Sequence, residues 1–206
     1  MELFFVFMLG FIFSFLGSIP PGSINLTVLQ LSLNGRLRAG IIFGFAASLV
    51  EILYSYMAVK FEMIFLAETQ FNNSVQVISS SVLLILGLVN YFGRTKEMKG
   101  NDSFSEGKAF RKGLIIGFFN PLAIPFWIAC TAFLQAKGWL LLTEASIYPY
   151  ILGIATGGFF FLFLLSWAAF RFRFLQTLGF PVNKMVGLVF FCLGIYGLTE
   201  VVLLYF

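Results

Sequence analysis

From Leu3 to Leu33 the chain carries no charged side chain, yet Gly17-Ser18-Ile19-Pro20-Pro21-Gly22-Ser23 stands in the middle of that run. A charge-free stretch of this length fits a bilayer, where a crossing helix needs about 20 mostly apolar residues. Two prolines and a glycine remove backbone hydrogen bonds and cost several kcal/mol inside a helix. The pattern predicts a membrane protein whose first span is interrupted at depth. Irregular backbone at that depth persists only where protein or a water-filled cavity covers it. The interruption is therefore either a packed kink or one wall of a binding site.

Composition closes the soluble alternatives. Of 206 residues, 60% are hydrophobic and 11% charged, against about 25% charged in a soluble domain. The 29 Phe suit a lipid-facing surface. The start, MELFFVFMLG, lacks a basic leading region and reads as a retained span rather than a cleaved signal. There is no histidine, and Cys130 and Cys192 both fall in apolar runs as buried free thiols, so neither a metal nor a disulfide framework is expected. No phosphate-binding loop, dinucleotide fingerprint or Gly-x-Ser-x-Gly elbow occurs. Neither an enzyme nor a cofactor is expected.

Charge-poor runs at 3–33, 39–59, 71–93, 113–136, 146–170 and 185–206 predict six spans, with 61–70, including Glu62 and Glu68, as a short connection. Arg36 and Arg38 follow the first span. Arg94, Lys96, Lys99, Lys108, Arg111 and Lys112 follow the third, and Arg171, Arg173 and Lys184 the fifth. Of 13 basic residues this leaves Lys60 and Lys137 on the other side. Basic residues mark cytoplasmic connections, so both termini are expected outside a bacterial inner membrane, with 94–112 in the cytoplasm. The net charge of +4 is a topology signal and predicts no nucleic-acid partner.

Residues 10–30, GFIFSFLGSIPPGSINLTVLQ, and 111–135, RKGLIIGFFNPLAIPFWIACTAFLQ, share an order of small and aromatic residues, a proline break, then an apolar stretch. Span 2 opens with GIIFG at 40–44 and span 5 carries GIATG at 153–157, spacings that let helices approach closely. Three spans per half invert the second half relative to the first. The expected fold is all-α, with six transmembrane helices as two inverted three-helix repeats, residues 1–93 and 113–206, joined by 94–112 and broken in helices 1 and 4. SFSE at 103–106 reads as a capping box starting the fourth helix near Phe104.

After each break a half-helix begins within the membrane. Its amino end carries exposed N–H groups and about half a positive charge, suited to a carboxylate. Ser18, Pro20, Pro21, Gly22, Ser23, Asn25, Asn120 and Pro121 form the candidate substrate site, although Asn25 and Asn120 serve equally to satisfy freed backbone groups. Glu51 stands near the middle of span 2, where an ionisable group costs about 2.5–3.5 kcal/mol even on insertion scales. It is the candidate proton-coupling group or amine partner; its alternative is a neutral carboxyl bonded to a neighbouring helix. Tyr54, four residues on and on the same face, joins the candidate site as a hydrogen-bond partner of Glu51, its alternative being to pack at an interface. Leu164 stands at the equivalent place of the second half, and Glu200 nears the end of the sixth span.

The block SIPPGSINLTVLQLSLNGRLRAGIIFGFAASLVEILYSYMAV resembles the start of LysE/RhtB-type amino-acid exporters, and FRKGLIIGFFNPLAIPFWIACTAFL resembles their fourth span. The matching positions are Pro21, Gly22, Asn25, Gly35, Arg36, Gly40, Glu51, Asn120 and Pro121. The departures are Ser23 for the second proline of Pro-Gly-Pro, Glu51 for an aspartate, and an additional Pro125. The resemblance implies a secondary exporter of amino acids or related zwitterionic or anionic metabolites, with protons as coupling ion, lipid around it, and an oligomer compatible with it. The alternatives are a membrane thiol-disulfide electron carrier, which needs a redox cysteine near each break, and a structural or assembly membrane protein.

Overall fold

The structure, a computed structural model, describes residues 3–19, 22–65, 105–120 and 123–171, with isolated helical residues between 77 and 92 and between 188 and 199. Every described element is helical: α1 (Leu3–Gly17), α2 (Ser23–Leu33), α3 (Leu37–Phe65), α4 (Glu106–Phe118), α5 (Ala123–Ala136) and α6 (Glu144–Arg171). Helices α3 and α6 are each long and apolar enough to cross a membrane. The pair α4 and α5 passes the same test together, bent by 62° at its break, while α1 and α2 are shorter apolar helices. Most of the expected third and sixth spans lies outside the described residues, as do Pro20, Pro21, Pro121, Glu68 and Glu200.

Two expected boundaries move. The second span continues past 59 to Phe65, so Glu62 belongs to α3 and not to a connection. Polar partners carry the helix through that stretch: Lys60 Nζ meets Glu144 at 3.5 Å, and Gln135 Nε2 donates to Glu62 at 2.7 Å. Helix α4 starts at Glu106 because Ser105, not Ser103, is its cap; the Ser105 hydroxyl accepts from the Lys108 N–H. At 13 residues α4 is close to the 15 of α1, so the two leading half-helices have similar reach.

The following half-helices end alike. Gly35 has φ 82 and Gly138 φ 68, conformations in which only glycine sits without strain. The N–H of Gly35 donates to Ser32 at 3.1 Å and that of Arg36 to Leu31 at 2.9 Å. Gly138 donates to Gln135 at 2.8 Å and Trp139 to Leu134 at 3.0 Å. Both sets are the paired bonds that close a helix on a left-handed glycine.

Packing fixes the directions. Helix α1 lies on α6 with numbers rising together: Gly153 abuts Phe7 and Phe11, Gly157 abuts Phe11, and Phe15 meets Phe160 and Phe161. At Gly153 and Gly157 a side chain would collide with α1 backbone, so these glycines set the approach. Helix α4 lies parallel to α3, Gly113 against Phe43 and Ala46, Gly117 against Ala47 and Val50. Helices α3 and α6 run antiparallel, with Gly44 by Leu162, Glu51 by Gly158 and Lys60 by Glu144. The α1–α2 pair therefore runs opposite to the α4–α5 pair, and both break at the level of Glu51. Arg36, Arg38, Lys108, Arg111, Lys112 and Arg171 share one end, and Lys60 and Lys137 the other.

Candidate functional site

At the level of the two breaks lies a cavity of about 110 Å³. An engineered hole of roughly 150 Å³ accepts benzene, so this one suits part or all of a solute with few heavy atoms. It brings together Ser18, Gly22, Ser23, Asn25, Glu51 and Asn120 of the expected set, and adds Gly17, Ile24, Ala47, Ser48 and Leu162. Residues flanking both breaks thus border one space. Pro20, Pro21 and Pro121 lie outside the described residues.

The α1–α2 side of the cavity is built by a clamp. Past the last turn of α1 the Ser18 carbonyl has no helical partner, and Asn25 Nδ2 reaches back from α2 to donate to it at 2.6 Å. That bond holds the carbonyl end of one half-helix beside the amino end of the next. Helix α2 is capped by Gly22 in extended conformation, with no side-chain cap bond. Glycine brings no oxygen to its own helix, so the amides of Ser23 and Ile24 begin α2 at the cavity wall without the usual serine or aspartate cap.

The α4–α5 side is held from α3. The Tyr54 hydroxyl donates to the Phe118 carbonyl, the last of α4, and the two rings pack with centroids 6.3 Å apart. Tyr54 does not line the cavity. Its face was legible from the sequence but its neighbour was not, and it satisfies one of the orphan carbonyls that every helix end leaves. Beyond it, Asn120 lines the cavity, and its carbonyl accepts from the Ala123 N–H at 3.3 Å as α5 begins. Pro125, third in α5, has no intrahelical N–H bond to lose.

Glu51 reaches the cavity from α3, on a helix whose neighbours make room for it. Ser14 of α1 donates to Glu51 Oε2 at 3.4 Å. A Cβ on Gly158 of α6 would land on the same oxygen, so the carboxyl occupies space that only glycine leaves there. No basic side chain pairs with it among the described residues. Ser14, Gly158 and Ser48 were missed by sequence reasoning. Ser14 was findable, as the lone hydroxyl in the aromatic run FIFSFLG; the other two show no signal until the helices are packed.

Two other features bear on chemistry. Among the described residues no group of three or more potential ligands is arranged to hold a metal. Cys130 is buried in the core, but Cys192 is exposed, which corrects the expectation of two buried thiols. An apolar run is buried in lipid as readily as in protein, and the sequence does not tell them apart. Neither cysteine lines the cavity.

A family model described as LysE type translocator matches residues 3–200. No match was found among curated proteins or among solved structures.

Proposed function

The chain belongs to the LysE type translocator family, and we propose on that premise that it exports amino acids or related small zwitterionic metabolites across a bacterial inner membrane, driven by protons. The family is one of transporters and not of enzymes, and a membrane exporter follows from it. The observation that carries the finer reading is that one small cavity is bordered by both helix breaks and by a single acid. A solute carboxylate docks at the amino end of α2, where the helix dipole favours negative charge, with Ser23 and Asn120 donating beside it. The solute ammonium, or a proton in its absence, goes to Glu51. With no histidine in the chain, a carboxyl is the natural proton carrier.

The opposed directions of α1–α2 and α4–α5 support two inverted repeats, 1–93 and 113–206, on either side of the connection 94–112. Rocking of one repeat on the other then exposes the cavity alternately. The end that gathers Arg36, Lys108, Arg111 and Arg171 is the cytoplasmic one by the positive-inside rule, which puts both termini outside. The thiol-disulfide alternative gains no support, since no cysteine borders either break. The test is efflux of a labelled amino-acid and dipeptide panel from cells with and without the protein, repeated with Glu51→Gln. Glu51→Gln keeps size and hydrogen bonding but removes titration. We expect loss of proton-driven efflux with normal insertion; full efflux with an unaltered pH profile would overturn the role of Glu51.

A further inference from the structure

Glu62 lies three helical turns beyond Glu51 on α3. Eleven residues at 3.6 per turn bring it back to nearly the same face, about 16 Å along the axis. It is 2% exposed. One carboxyl oxygen accepts from Gln135 Nε2 at 2.7 Å, and the other, Oε2, is sealed from solvent with no hydrogen-bond partner among the described residues. An ionised carboxylate is not left in such a place without a cation. The cation nearest in sequence, Lys60, is instead paired with Glu144 on the surface. Among the described residues no basic side chain meets that oxygen and no cluster of metal ligands gathers round it. A proton neutralises the carboxyl without either.

The pair also joins the two halves. Glu62 belongs to α3 and Gln135 to α5, so any motion that parts those helices at this end breaks the bond between them and opens the orphan oxygen to water. Among the described residues, the titratable groups at this end are Tyr150 on α6, whose hydroxyl lies 3.3 Å from Thr131, Cys130 on α5, Lys60 with its partner Glu144, and Lys137 just after α5. None of them bonds it.

We propose that Glu62 is a second proton-binding carboxyl, whose proton is sealed in while Gln135 holds α5 against α3 and is released to water when the two part. The O–H bond on Glu62 breaks and the proton passes to solvent at the end opposite the basic cluster. Glu51 and Glu62 then mark two levels of one proton route along a single helix face. The purpose of that route rests on the transporter reading, but its test does not.

Infrared difference spectra between acid and alkaline buffer, on the full chain in phosphatidylethanolamine–phosphatidylglycerol vesicles, read protonated carboxyls without any solute. The expected spectrum has a protonated-carboxyl component that Glu62→Gln removes and Glu51→Gln leaves, and that Gln135→Leu shifts. A band set unchanged by Glu62→Gln overturns the proton site. In a Cys192→Ala background, alkylation of buried Cys130 by N-ethylmaleimide, scaled to the unfolded protein, reads the parting of α5. It should rise severalfold at alkaline pH in the otherwise unaltered chain and stay flat in Glu62→Gln. An equal rise in both overturns the coupling of proton to opening. Failure of the exporter reading alone would leave both results standing.

Discussion

The two broken helix pairs are alike in frame and unlike in chemistry. Both have a leading half-helix packed in parallel on a long helix of the other half, α1 on α6 and α4 on α3, and both trailing half-helices close on a left-handed glycine, Gly35 and Gly138. At the cavity they part. The α1–α2 break is clamped from within, Asn25 to the Ser18 carbonyl, whereas the α4–α5 break is clamped from outside, by Tyr54 on α3. The long helices differ in the same way: α3 delivers Glu51, and α6 delivers Gly158, the vacancy into which that carboxyl fits. Two broken pairs running in opposite directions bring two helix breaks to one space, and an acid on one long helix only gives that space an acid wall. A zwitterion needs such an unlike pair of walls.

The sharpest way to break the comparison is to fill the vacancy. Gly158→Leu puts a side chain where the Glu51 carboxyl now lies, and the acid must leave the cavity wall. Efflux of the exported panel members should fall to near background while the protein still inserts. Retained efflux would mean that Glu51 works from some other position. A smaller effect is expected from the clamps. Asn25→Leu strands the Ser18 carbonyl and Tyr54→Phe that of Phe118; both bonds are part-buried, and losing such a hydrogen bond costs about 0.5–1.5 kcal/mol. Both variants should unfold earlier in a denaturant titration in detergent, Asn25→Leu with the larger loss of efflux because its bond shapes the cavity wall itself. Equal loss of efflux from both would erase the distinction between a clamp inside the site and one beside it.

How much of this was legible in the sequence follows the same division. Backbone breaks are written in single residues, so the interruptions at Pro20-Pro21-Gly22 and Asn120-Pro121 and the residues flanking them were readable, as was a lone acid in an apolar run at Glu51. The directions of the half-helices followed from counting spans. What stayed hidden depends on which surface meets which. Glu62 beside Lys60 looked like the end of a span because hydropathy records charge and not pairing; Gln135 and Glu144, more than seventy residues away, supply the partners. Tyr54 shares a face with Glu51, but only packing shows that its hydroxyl is spent on Phe118. Gly158 follows another glycine at a helix seam and reveals its role only when the acid is set against it.

The central claim is that the space between the breaks is where the solute binds, and solute protection of a cavity cysteine tests it most directly. Ser23→Cys, in a chain whose native cysteines are replaced by Cys130→Ala and Cys192→Ala and which still exports, places one thiol at the start of α2 on the cavity wall. The rate of its alkylation by a small maleimide is measured with and without each amino acid of the panel. The account predicts that the solutes exported by the chain slow alkylation in a saturable way, that solutes not exported leave it unchanged, and that Glu51→Gln weakens the protection. An alkylation rate indifferent to every exported solute, in a protein that still transports them, would contradict it.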